Sequence, residues 1–361
     1  MSQSTSIADE VAKLVKLKEN GKISEPEFLR MRQDLIERHT PHLKRSIAEL
    51  LNELRRQSYY VIPNMEDDFR LEVALKLLNM IEVVHMDSAE KQFKLYNEAE
   101  KLGQGIHILY AHFYSVLPIL SQLPQDTWTK RHDAGLDWNE RLGLSLLAEL
   151  SKYYNEYEYI LESGKFDDSG QYGWLDAALY YCIIRHFNPK NIIEVGAGDS
   201  TRLATLAASN NGVNLTSIDP FAAESIDKVT RVIRKPVQEI QISEFKTLQR
   251  NDILFIDSTH VCKIGSDVNY LFLDVLPNLN PGVLIHIHDI FLPLEFPKEW
   301  VMELHRFWNE QYLLHAFLIS NRDFEILFGI GYMLLHHRDF LLKIYGSKRL
   351  GGGSFWIRKI K

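Results

Sequence analysis

Asp257, His260, His288 and Asp289 are the residues whose types and spacing point most directly to chemistry. The apolar run Ile253–Ile256 ends in Asp257-Ser258-Thr259-His260, and the run Val283–Ile287 ends in His288-Asp289. In an open parallel sheet, ligands bind at the carboxyl ends of the strands. Asp257 and His288-Asp289 are therefore expected side by side at the mouth of such a sheet. Two carboxylates and an imidazole converging there are costly unless something positive joins them. A divalent metal held by Asp257, His288 and Asp289 answers that need, and mixed oxygen and nitrogen donors suit Mg²⁺, Mn²⁺ or Fe²⁺ better than structural Zn²⁺. His286 shares a strand face with His288 and reads as a satisfied core histidine. A facial-triad oxygenase would want His-x-Asp plus a distant His, whereas His288 and Asp289 are adjacent, so that reading stays a minor alternative.

A second constellation is Ile192-Ile193-Glu194-Val195-Gly196-Ala197-Gly198-Asp199-Ser200-Thr201. An apolar strand runs into G-x-G and then a helix start. Glycines there allow a tight turn and close approach of a ligand to exposed helix N–H groups. The third glycine of a dinucleotide fingerprint would fall at Thr201, which argues against a nicotinamide cofactor. Further on comes Asp219, in Thr216-Ser217-Ile218-Asp219-Pro220. A carboxylate ending the next strand can accept both hydroxyl protons of a ribose.

These residues need a scaffold. Short apolar runs recur at Asn191–Val195, Leu215–Ile218, Ile253–Ile256, Val283–Ile287, Phe324–Phe328 and Ser354–Arg358, separated by turn residues and helical periods. That alternation predicts an α/β domain with a mostly parallel sheet. A helix is expected over Trp174–Phe187, and another from Trp138-Asn139-Glu140 to about Tyr154. The first third reads as helical, with a break at Glu19-Asn20-Gly21-Lys22 and a capping box from Ser24 to Glu27. The expected division is a hairpin over 1–40, a helical adapter or lid region over 41–165, and the α/β domain over 166–361.

Composition narrows the classes. At 361 residues the chain fits about two domains. Eighteen Phe, 16 Tyr and 6 Trp exclude a fully disordered chain. A net charge of −7 argues against non-specific nucleic-acid binding. Cys182 and Cys262 lack partners at metal or redox spacing and read as buried free thiols in a reducing compartment. Met1–Asp9 has no apolar signal region, and no window suits a membrane span, so a cytoplasmic protein is expected. The aromatic group Phe291, Phe296, Trp300, Phe307 and Trp308 reads as core packing or as the wall of an acceptor pocket.

The Glu194–Gly198 turn together with Asp219 resembles the class I S-adenosylmethionine-dependent methyltransferases. That resemblance implies a Rossmann-like seven-stranded sheet with an antiparallel last strand, a role for which Ser354–Arg358 is placed. It implies that Glu194, Gly196, Gly198 and the helix start Ser200-Thr201 line the cofactor, and that Asp219 binds its ribose. The stretch Phe166–Gly173 would lie over it, with Tyr172 and Asp176 as contacts. The phrases FIDSTH, GSDVN, HIHDIF and SFWIRK resemble the metal-dependent sugar O-methyltransferases that act on macrolides. Carried over, Asp257 and Asp289 are metal ligands at the cofactor's edge, and His260 is the general base. The chain departs from that family at His288, where an acid is expected. A bound Mg²⁺ or Mn²⁺ would lower the pKa of an acceptor hydroxyl, His260 would take its proton, and the methyl group would transfer in line. The expected substrate is a small hydroxylated molecule, including glycosyl acceptors. Alternatives are a metal-independent methyltransferase acting on nitrogen or protein, and a non-catalytic cofactor-binding module. Residues 7–36 resemble a SHOCT-type hairpin, which implies a homo-oligomer built through the N-terminal helices.

Overall fold

The computed structural model describes residues 17, 22–24, 27, 30–31 and 116–361, apart from 169–171, 210–211 and 347–349. The chain divides into two units, Met1–Gln122 and Leu123–Lys361. In the first unit, Ser24 donates from both N and Oγ to Glu27 Oε2, at 2.9 and 2.7 Å. That is the glutamate half of the expected capping box. The remaining expectations for 1–115, the hairpin and the adapter helices included, lie outside the described residues.

The second unit is built on seven strands: β1 Asn191–Val195, β2 Asn214–Ile218, β3 Arg231–Ile233, β4 Ile253–Ile256, β5 Leu284–Ile287, β6 Phe324–Gly329 and β7 Phe355–Lys359. Their order across the sheet is β3-β2-β1-β4-β5-β7-β6. The five strands from β3 to β5 pair in parallel. Strand β7 runs antiparallel to both β5 and β6. This is the α/β methyltransferase-like sheet expected from the sequence, with the antiparallel strand in the expected place. Strand β3 was not foreseen. It is three residues long and only partly buried, so it has too few apolar positions to show a period.

Among the described residues ten α-helices accompany the sheet: α1 Glu140–Leu150, α2 Tyr154–Glu162, α3 Trp174–Phe187, α4 Asp199–Ala208, α5 Ile242–Phe245, α6 Asp267–Tyr270, α7 Lys298–Met302, α8 Glu310–Leu318, α9 Ile330–His336 and α10 Arg338–Tyr345. A 3₁₀ turn, Ser151–Tyr153, joins α1 to α2, so helical structure continues past Tyr154 to Glu162. None of the helices among the described residues is long and apolar enough to cross a membrane.

Alternation along the strands sends side chains to two cores. On one face Ile192, Ile253, Phe255, Leu284 and Trp356 pack with residues of α1–α4, α9 and α10. On the other, Ile193, Val195, Leu254, Ile256, Ile285, Ile287 and Ile357 pack with residues around α6 and α8. Each fully buried aliphatic side chain contributes about 1.5–3 kcal/mol by leaving water. Residues 140–162 share the first core through Leu146, Leu147, Leu150, Tyr157 and Ile160, so these helices belong to the sheet-bearing unit. At the strand starts, the buried Asp252 carboxylate accepts from the main-chain N–H groups of Lys190, Asn191 and Gln249 and from Asn191 Nδ2, at 2.8–2.9 Å. Asp252 thereby fastens the start of β1 to that of β4, which fixes the register of the strand ends opposite.

Candidate active site

Both sequence constellations meet at the carboxyl ends of β1, β4 and β5. The sheet ladder continues one residue past each strand: Gly196 N donates to Ile218 O at 3.0 Å, Asp257 N to Val195 O at 2.9 Å and His288 N to Ile256 O at 2.9 Å. Gly196 has φ of +99°, and a Cβ there would sit 2.4 Å from the Asp257 carbonyl oxygen. Only glycine fits that turn, and its absent side chain lets β1 and β4 end shoulder to shoulder. Beside Gly198, a Cβ would meet nothing within 4 Å. Open space thus faces the start of α4, as a ligand at a helix N-terminus requires.

Around this turn the predicted cofactor residues divide into two sets. Asp219 Oδ2 accepts from Ala197 N at 3.1 Å and Oδ1 from Phe221 N at 2.7 Å. Each oxygen keeps acceptor capacity, and the residue is half-buried, so it remains able to receive a diol. Glu194, by contrast, is fully buried. Its oxygens accept from Tyr180 Oη at 3.0 Å and Ser217 Oγ at 3.2 Å. Burial pushes its carboxyl up to about 7, against the pull of hydrogen bonds from Thr201, Tyr180 and Ser217. Thr201 is buried and also accepts from Gly198 N at 3.1 Å, while Ser200 is buried beside it. Glu194 and Thr201 therefore brace the turn from below.

Tyr172 is buried, donates to the Asp176 carbonyl at 3.3 Å and stands edge-on to His288, with ring centres 5.2 Å apart. Asp176 accepts from Gly353 N and Ser354 N, at 2.8 and 2.9 Å. It holds the loop before β7 in place. A Cβ on Gly353 would lie 2.8 Å from Asp289 Cα, so that loop in turn backs Asp289. His286 Nε2 meets Ser354 Oγ at 3.0 Å and its ring stacks on Phe255. It is the core histidine expected, and burial holds it well below its usual pKa.

The charged group at the mouth centres on His260. Its Nε2 lies 3.2 Å from Asp257 Oδ1 and 3.7 Å from Asp289 Oδ2. Its Nδ1 lies 2.9 Å from Glu310 Oε2, and both residues are buried. His260 and Asp289 have φ of 60° and 57°. That left-handed conformation costs a non-glycine residue on the order of 1–2 kcal/mol, and such strain gathers where function requires it. Burial opposes a charge on His260, but Asp257 and Glu310 outweigh it and raise its pKa to about 10. Likewise burial works against a charged His288, and Asp257, Asp289 and Asp176 overcome it. Burial raises Asp289, against the pull of His288 and His260. The acids thus draw protons onto both imidazoles, as a site that attracts cations does.

Ligand atoms of Asp257, His260 and Asp289 lie within 4.8 Å of one another. His288 stands outside this group: its Nδ1 is 3.8 Å from Asp289 Oδ1 and, with Glu310 Oε1, is a buried polar atom that has no hydrogen-bond partner among the described residues. Two carboxylates and an imidazole in that span fit a hard divalent ion. The imidazole they share is His260 rather than the expected His288.

Glu310 is the site residue that the sequence reading missed. It lies 50 residues from His260, at the first position of α8, and no spacing rule connects the two. Trp308 was named only as part of an aromatic group. Its ring lies 4.2 Å from that of His260 and 5.3 Å from that of Trp300. The Arg306 guanidinium lies over both indoles, at 4.7 and 5.1 Å from their ring centres. This wall stands directly beside the reactive group.

Residues 193–290 match the family described as a methyltransferase domain. An uncharacterised protein of Archaeoglobus fulgidus is 26% identical over 163 residues, 39% of this chain and 74% of that protein. Among solved structures, the SAH-bound Podospora anserina methyltransferase PaMTH1 is 14% identical, with 63% of this chain and 98% of that chain covered and a TM-score of 0.35. An SAH complex of an O-methyltransferase from Bacillus cereus is 11% identical, with 58% and 91% covered and a TM-score of 0.33.

Proposed function

We propose that this protein transfers a methyl group from S-adenosylmethionine to a hydroxyl of a small acceptor, glycosyl acceptors included, with His260 as the general base. The observation that carries this reading is the position of His260 Nε2. It stands between Asp257 and Asp289, at the mouth of the sheet and beside the Gly196–Gly198 turn. The open side of that turn takes the cofactor and Asp219 receives its ribose, while Glu194 and Thr201 keep the turn rigid. The family match over residues 193–290 supports the same reading.

Asp257 and Asp289 would hold a divalent ion, Mg²⁺ or Mn²⁺. When bound, such an ion lowers the pKa of an acceptor hydroxyl and offsets the carboxylate charge that keeps His260 protonated. The chain's own residues do the rest. Trp308 and its neighbours wall off water beside the acceptor. With Nδ1 committed to Glu310, Nε2 is the one nitrogen left to receive the hydroxyl proton. Orientation then governs the in-line displacement at the sulfonium methyl.

One observation favours a second reading: the span of Asp257, His260 and Asp289 also allows His260 to be the third metal ligand. The two readings make opposite predictions for His260→Ala. If His260 is the base, the variant binds Mn²⁺ as wild type does and loses methyl transfer by about 10²–10⁴-fold. If His260 is a ligand, Mn²⁺ binding is lost as well. A calorimetric Mn²⁺ titration, paired with SAH release over a panel of hydroxylated acceptors, decides between them. Full methyl transfer by His260→Ala would sink both.

A further inference from the structure

The structure assigns Glu310 as the positioning residue of this site: it holds the Nδ1–H of His260 so that Nε2 alone faces Asp257 and Asp289. Four contacts from one short segment converge on His260. Glu310 Oε2 meets Nδ1 at 2.9 Å. Asn309 N and Glu310 N both donate to the His260 carbonyl oxygen, at 3.1 and 3.2 Å. The Trp308 ring covers the imidazole at 4.2 Å. Asn309 extends the grip by accepting from Cys262 N through Oδ1 at 2.6 Å and donating from Nδ2 to the Cys262 carbonyl at 3.3 Å.

Each contact removes a freedom that His260 would otherwise have. The main-chain bonds keep the residue in its left-handed conformation, at φ of 60°. The indole limits tilting of the ring. The carboxylate settles which nitrogen carries hydrogen, because an ionised Glu only accepts, so Nδ1 must donate. This holds for the neutral ring and for the imidazolium alike. Nε2 then becomes the one end able to gain or lose a partner. The start of an α-helix is also a favourable place for a buried carboxylate, since the helix dipole presents positive charge there. Glu310 is the first residue of α8 and is 1% exposed. Among the described residues its other oxygen, Oε1, has no hydrogen-bond partner, which leaves the bond to His260 as the one the carboxylate makes there.

The assignment deepens the reading of His260 as the reacting group and rests on that reading for its consequence. Its test does not, because the Nδ1–H bond can be observed without cofactor, metal or acceptor. Proton NMR of the full chain, selectively ¹⁵N-labelled at histidine, provides the measurement. A buried Nδ1–H bonded to a carboxylate gives a resonance far downfield of the amides. Wild type is expected to show it, and His260→Gln to lack it, which assigns the signal. In Glu310→Gln, where the acceptor is a neutral amide of the same shape, the signal moves upfield; in Glu310→Ala it disappears. If Glu310→Ala does not fold, the near-isosteric Gln variant decides alone. A signal absent from wild type, or unmoved in Glu310→Gln, overturns the assignment. Failure of the chain to bind SAH would instead remove the methyltransferase reading and leave the NMR result standing.

Discussion

At the scale of single residues, the site separates acids that serve a ligand from acids that serve the fold. Asp219 keeps acceptor capacity at the surface of the cleft, so Asp219→Ala should weaken SAH binding tenfold or more in calorimetry while leaving the melting temperature within a few degrees. An unchanged affinity would remove Asp219 from the cofactor site. Glu194 behaves differently. Its folded-state pKa of about 7, raised by burial, lies above its ordinary value of 4.5. Its contribution to stability is fully present below about pH 4.5 and is lost as pH rises through about 7. The size of the loss is on the order of 3 kcal/mol. Glu194→Gln keeps the shape and removes the charge. It should match wild type in thermal melts near about pH 4.5 and exceed it at about pH 8; parallel pH profiles would contradict this. The residue types were legible in the sequence, because Asp257, His260 and Asp289 end predicted strands. The pairing of His260 with Glu310 was not, since it depends on where α8 returns to the sheet.

At the scale of elements, the βα turn after β1 carries two glycines with opposite duties, and they predict opposite phenotypes. A Cβ at Gly196 would be driven to 2.4 Å from the Asp257 carbonyl oxygen, at a φ of +99°. Gly196→Ala must push β1 and β4 apart, so a clear loss of stability is expected in denaturant unfolding, on the order of 2 kcal/mol or more. A Cβ at Gly198 meets nothing, so Gly198→Ala should leave unfolding unchanged and instead weaken SAH binding, because it occupies the space above α4. Equal effects of the two substitutions on both measurements would mean that the turn holds no ligand. Strand β4 was predicted to the residue because it is a continuous apolar run buried on both faces, and β1 because its three aliphatic residues run straight into the Gly196 turn. Edge strand β3 was not, since a half-exposed strand of three residues looks like a loop. The loop before β7 escaped notice for another reason. Gly352 and Gly353 matter only through what they touch, the Asp176 carboxylate and the main chain of Asp289.

At the scale of the whole molecule, the sheet-bearing unit from Leu123 to Lys361 contains every residue assigned to the site. If residues 1–40 form an oligomerisation hairpin, removing them lowers the mass measured by light scattering from that of an oligomer to that of one chain. An unchanged mass would end that idea without touching the site. Every residue assigned to the site lies outside residues 1–40, so cofactor binding is expected to survive the deletion. Whether the Gly196–Gly198 turn and Asp219 hold S-adenosylmethionine is read from calorimetric titration of the full chain with SAH, in Mg²⁺ or Mn²⁺ and again in EDTA. One SAH is expected to bind per chain in every condition, with binding weakened by Gly198→Ala. No heat of binding in any condition would contradict it.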